Sequence, residues 1–111
     1  MVRVLPALAL LAACSPAVDP CAPMCDAVVD AQGACLADWG VGWDAVGYTD
    51  AEERRNACDT WAWELRHLER DADERGATDL VCEERTEALE ADGCAAYTAI
   101  DWNALPWDDP E

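Results

Sequence analysis

The chain has no lysine and no phenylalanine, one histidine (His67), one serine (Ser15) and one isoleucine (Ile100). Each gap excludes something. Seven arginines stand against 24 acidic residues, a formal net charge of −17, and such a balance repels nucleic-acid phosphates and anionic membrane surfaces. A nucleic-acid role is therefore not expected. One histidine and one serine leave little from which to assemble a nucleophile and its base. Carboxylates are so frequent that no particular pair points to acid–base chemistry. The apolar run Val4–Leu11 is too short to span a bilayer as a helix. No stretch of alternating β-branched residues bounded by turn signals argues for a strand. The absence of any Cys-x-x-Cys removes both paired zinc knuckles and thiol exchange.

What is present begins at the N-terminus. Met1-Val2-Arg3 supplies a positive charge, Val4–Leu11 a short apolar stretch, and Leu11-Ala12-Ala13-Cys14 closes it with small residues before a cysteine. This is the grammar of an export signal. Pro6 inside the run and Ser15-Pro16 after it argue against a buried helix continuing into the domain. The segment resembles the lipobox of bacterial lipoproteins, a resemblance confined to the first fourteen residues. It implies that residues 1–13 are removed, that Cys14 becomes a lipidated N-terminus, and that attachment comes from acyl chains. At roughly 0.8 kcal/mol per buried methylene, two or three chains hold durably where one does not. Ser15 after the cysteine implies residence at the outer rather than the inner membrane. Residues 14–20, with two prolines and no periodicity, read as a tether.

Removing residues 1–13 leaves 98 of 111 residues and takes the charge from 7 basic and 24 acidic to 6 and 24, hence −18. That is one small domain with a core marginal in size. With Cys14 given to lipid, Cys21, Cys25, Cys35, Cys58, Cys82 and Cys94 remain. An even set in an exported chain reads as three disulfides, with 15 possible connectivities. Cys21-x3-Cys25 could open a zinc site, but no second pair follows and an oxidising compartment disfavours it. No metal and no cofactor is expected.

The apolar positions Cys25, Val28, Val29, Cys35, Leu36 and Trp39 recur at helical spacing and predict a first helix over 22–39. Residues 40–48 (GVGWDAVGY) read as a connector, since the glycines do not complete a phosphate-cradle pattern and no strand precedes them. Thr49 and Glu52 form a capping box for a second helix running to about Asp73, with a buried stripe of Cys58, Trp61, Ala62, Leu65, Leu68 and Ala72. Arg66 with Glu69, and Arg70 with Glu74, stand at ion-pair spacing. Gly76 is read as a break, Thr78 as the cap of a third helix with Leu80, Val81, Cys82, Ala88 and Leu89 on its apolar face, and Gly93 as its stop. The domain is drawn over 21–94. An acidic, irregular tail, 95–111, packs on it through Tyr97, Ile100 and Trp102.

The expected fold is all-α, three helices up-down-up, stapled by three disulfides. At roughly 1.5 Å per residue, ranking cysteines by height along the bundle pairs Cys21 with Cys82, Cys35 with Cys94 and Cys25 with Cys58, the last pair with the poorest match.

Few residues suggest a site. Asp71, Asp73 and Gly76 mimic the opening of a calcium loop, but Arg75 and Cys82 occupy positions five and twelve, where such a loop needs an oxygen and a bidentate Glu. Of the tryptophans, Trp39 and Trp61 fall on apolar stripes and read as core, whereas Trp43, Trp63 and Trp107 lie off the stripes and are the candidates for ligand contact. His67 reads as a surface residue. Three functional readings follow. The first is a lipid-anchored, non-catalytic cell-envelope protein with an interaction or structural role toward another envelope protein. The second is a carbohydrate or peptidoglycan binder using Trp43, Trp63 or Trp107. The third is an envelope hydrolase built around His67.

Overall fold

Asp19 opens the first helix: its carboxylate accepts the Cys21 N–H at 2.9 Å, and its carbonyl accepts the N–H of Ala22. The computed structural model describes residues 19–108. The leader, Cys14 and the tether up to residue 18 lie outside that range, as do residues 109–111.

Helix α1 spans Cys21–Trp39 and ends at Gly40, whose positive φ of 69° lets its own N–H and that of Val41 fold back onto the Ala37 and Leu36 carbonyls. A 3-10 turn, Trp43–Val46, carries the connector. Helix α2 spans Ala51–Leu68. Helix α3 spans Ala72–Asp92, and a short helix, α4, spans Cys94–Ala99. Between α3 and α4 stands Gly93, with φ 53° and ψ −123°, a conformation open in practice only to glycine. No strand occurs among the described residues.

The chain direction of each helix follows from what it touches. Along α2, Arg54 meets Gln32, Arg55 meets Asp26, Cys58 meets Cys25 and Arg66 meets Asp19, so α2 runs antiparallel to α1. Along α3 the order is reversed: Cys82 is bonded to Cys21 and the following Cys94 to Cys35, so α3 runs parallel to α1. The three disulfides join the same partners as the height ranking, and the poorly matched pair, Cys25–Cys58, closes with the Cα atoms 5.6 Å apart. Antiparallel packing places residue 58 opposite the lower half of α1, which absorbs the offset.

Helix α1 is the middle element. Flanked by α2 and α3, it buries a broad arc of Cys21, Met24, Cys25, Val28, Ala31, Gln32, Cys35 and Leu36. Cys58 and Ala62 from α2, Cys82 and Leu89 from α3, and Ala96 from α4 complete the core, with Trp61, Tyr97, Ile100 and Trp102 packed around it.

Several expected boundaries move. The second helix is capped by Asp50, which accepts the Glu53 N–H at 2.9 Å, and not by Thr49. It stops at Leu68, five residues short of Asp73. The third helix is capped by Asp71, which accepts the Glu74 N–H at 2.9 Å, so Gly76 and Thr78 lie inside it. In both cases a carboxylate, one residue after Thr49 and seven before Thr78, is a stronger acceptor than the threonine hydroxyl. The inward face of α3 is Glu74, Thr78, Cys82 and Leu89, which leaves Leu80 exposed. That stripe was hidden because half of it is polar: Arg70 binds Glu74, and Thr78 donates to the Glu74 carbonyl. Trp39, read as core, is 55 % exposed, and Leu68 is exposed too, because each falls at a helix terminus beyond the neighbouring helix. The stretch after Cys94 contains the helix α4 where no regular structure was expected.

Candidate functional site

Arg54, Ala57, Cys58 and Trp61 stand at i, i+3, i+4 and i+7 on α2, and so share one face of the helix. Where that face passes Val28 of α1 it does not close completely. Tyr48 from the connector, Tyr97 from α4 and Trp102 from the turn after α4 complete the walls of a cavity of about 270 Å³, partly open to solvent. Half of its eight lining residues are aromatic.

The rings are held by one another. Trp61 meets Trp102 edge to face with centroids 6.5 Å apart, and Trp102 lies 5.4 Å from Tyr97. The Trp102 Nε1–H donates to the Tyr97 carbonyl at 3.1 Å, which removes the indole's polar atom from the cavity. Arg85 lies over the Trp102 ring at 5.1 Å and donates from Nη2 to the Asp101 carbonyl. Burial lowers the pKa of that guanidinium from its ordinary value, with the nearby Asp101 charge opposing. At the other wall, Arg54 lies over the Tyr48 ring at 5.3 Å while its Nε–H donates to the buried Gln32 Oε1. The cleft is thus an apolar basin with an arginine above one ring at each end.

Sequence reasoning missed Tyr48, Arg54, Tyr97 and Trp102 as site residues. The α2 members were detectable by period, with Trp61 assigned to the core it borders. Tyr48 and Trp102 sit in aperiodic segments: the connector before α2 places Tyr48, and the folding of α4 against α1 brings Trp102 to α2. The expected contacts Trp43, Trp63 and Trp107 do not converge on this cleft or on one another. Trp43 is half-buried, its ring lying against α1 at Gly33. Trp107 is half-buried at the edge of a shallow, polar depression with Arg70, Asp71, Asp73 and Glu74. Trp63 is 62 % exposed, and His67 one turn on tilts against it with ring centroids 3.8 Å apart. The His67 Nδ1–H donates to the Trp63 carbonyl at 2.8 Å, so that nitrogen is occupied within its own helix.

A second polar centre has structural character. Arg66, mostly buried, binds Asp19 at 2.8 Å, Glu69 at 2.9 Å and Asp79, joining the start of α1, the α2–α3 connector and α3. The hydrogen bond from Arg66 holds the Asp19 carboxyl below its usual pKa, against the smaller effect of burial. Burial acts to lower the Arg66 pKa, but the three carboxylates outweigh it and raise it. The segment Asp71–Gly76 is the first turn of α3, where Asp71 is spent on capping and Glu74 on Arg70. Among the described residues no group of three or more His, Cys, Asp or Glu is placed to hold a metal ion, and no helix is long and apolar enough to cross a membrane. No family model, curated protein or solved structure matches this chain.

Proposed function

We propose that this chain is an exported protein of the bacterial cell envelope, anchored through lipid on Cys14, whose helical domain works by binding and not by catalysis. The observation that carries the reading is the cysteine pattern. All six cysteines of the domain are joined in disulfides within the fold, a state that a reducing cytosol does not sustain and an oxidising envelope does. The seventh stands alone in Leu11-Ala12-Ala13-Cys14. The aromatic cleft supports binding as the activity: its rings are ordered by packing and by the Trp102–Tyr97 hydrogen bond before any partner arrives.

Mass spectrometry of the protein extracted from its native membranes tests both parts at once. The expected species begins at Cys14, carries acyl chains and has no free thiol. A chain still bearing Met1 with six free thiols would overturn the reading.

Glycan binding is a second reading favoured by one feature, the exposed ring of Trp63 backed by His67. Trp63→Ala should then abolish retention on peptidoglycan, and unchanged retention would dismiss it. His67 lies outside the aromatic cleft, so the hydrolase reading gains no support from that hollow.

A further inference from the structure

We infer that the aromatic cleft is a site for a small free acid in which one aromatic ring carries a carboxylate on a short arm. The inference rests on the binding reading above and names its ligand class. Two independent features point to it, the size of the basin and the state of its arginine.

The basin comes first. A cavity of about 150 Å³ lined by apolar side chains is known to hold benzene. At about 270 Å³ this one holds a single ring and a two- or three-atom arm. The four aromatic rings of the lining, Tyr48, Trp61, Tyr97 and Trp102, suit a flat π-system, which pairs edge to face or offset with such walls.

Charge supplies the second feature. In a chain with 24 acidic and 7 basic residues, three of the described arginines, Arg54, Arg75 and Arg85, pair with no carboxylate, and of these only Arg54 lines the cavity. Arg55, Arg66 and Arg70 are each bound to at least one. Arg54 is not: its Nε–H is given to the neutral Gln32 amide and its plane rests on Tyr48, while Nη1 and Nη2 have no hydrogen-bond partner among the described residues. Gln32 and Tyr48 hold the guanidinium at the cavity wall, with its outer fork free for a carboxylate. Arg85, over the far ring, adds positive potential at a distance without entering the basin. The cleft thus offers an anion with an apolar body a partner for both parts: aromatic walls for the ring and the free Arg54 fork for the charge.

The experiment titrates the full mature protein, disulfides intact, with phenylacetate, phenylacetamide and phenethylamine, following the six indole N–H signals by NMR. Phenylacetate should shift the Trp61 and Trp102 signals and leave Trp63 in place. The uncharged amide, of the same shape, should bind about tenfold more weakly or worse, as expected for losing a charge-assisted hydrogen bond, and the amine should not bind. Arg54→Gln should bring the ratio of acid to amide affinity, both measured on the same variant, close to one. Equal affinity for acid and amide in the native protein would overturn the carboxylate assignment and leave the cleft as a neutral binding site. Binding of the peptide Gly-Gly-Phe, which carries a ring and a carboxylate on a longer chain, without binding of phenylacetate would overturn assignment to a small acid. If none of the probes moves Trp61 or Trp102, the cleft is not a site for this class. The envelope reading then stands or falls separately on the mass spectrum of the native protein.

Discussion

Gly76 and Arg66 show how far one side chain can be followed. Gly76 lies in the first half of α3 with an ordinary negative φ, and a methyl group added there would meet nothing within 4 Å. Glycine in a helix interior loses more backbone entropy on folding than alanine does. Gly76→Ala should therefore stabilise the protein by about 0.5–1 kcal/mol, read as a higher melting temperature; a lower one would mean that the helix starts beyond residue 76. Arg66 is the opposite case, a residue whose partners depend on it. Replaced by Met, it leaves Asp19, Glu69 and Asp79 facing one another without their shared cation, and the loss at pH 7 should be about 1–3 kcal/mol, between surface and buried ion pairs. The folded-state pKa of Asp19 is depressed, so its contribution is complete above its unfolded value of 3.8 and disappears as pH falls through the folded one. The stability gap between native protein and Arg66→Met should hold from pH 7 to about 5 and narrow below about pH 4, in urea titrations at each pH. A gap unchanged at pH 3 would take Asp19 out of the account.

Between elements, covalent bonds do much of the positioning. The mature chain offers six leucines, six valines and one isoleucine, while four of the seven most completely buried large side chains are cysteines. Cys35–Cys94 has the additional effect of fixing the start of α4, and with it Tyr97 and Trp102, against α1. Replacing both cysteines by Ala opens a loop of 59 residues in the unfolded chain. It should cost about 4 kcal/mol by loop entropy, and the near-ultraviolet dichroism of the Trp61–Trp102 pair should fall before helix content does. If both signals fall together, α4 is not an independent unit of the cleft. The same bonds explain what could be read from the chain alone. The three long helices were legible from their periods, and the pairs Cys21–Cys82 and Cys35–Cys94 because α1 and α3 are parallel and of similar length, so height along the bundle ranks their cysteines. Helix starts were less so, since Asp50 and Asp71 outcompete Thr49 and Thr78 for the orphan amides. The cleft was legible only by half: Arg54, Ala57, Cys58 and Trp61 show their period, but the rings that oppose them come from turns whose placement depends on tertiary packing.

At the scale of the whole molecule, charge sets the conditions under which everything above holds. The ion pairs engage Asp19, Asp26, Asp59, Glu69, Glu74 and Asp79, and the other carboxylates of the described residues repel one another across an elongated acidic surface. That repulsion opposes the disulfides and the small core. It also opposes approach of the acid proposed for the cleft, so added salt relieves both the fold and the approach of the acid. Screening shortens the reach of surface charges from about 30 Å at 0.01 M to about 8 Å at 0.15 M. Relieved self-repulsion should raise the melting temperature by several degrees over this range, since about 1 kcal/mol moves a domain of this size by roughly 4–8 °C. Sodium chloride and tetramethylammonium chloride should give one curve against ionic strength, because screening does not depend on which cation is present, whereas a bound cation would separate them. For phenylacetate the long-range repulsion and the Arg54 contact are screened together. The contact lies in a partly desolvated basin and is screened less, so affinity should hold or rise as salt is added. A melting temperature indifferent to ionic strength would show that the disulfides alone, and not the balance of charge, set the stability of this fold.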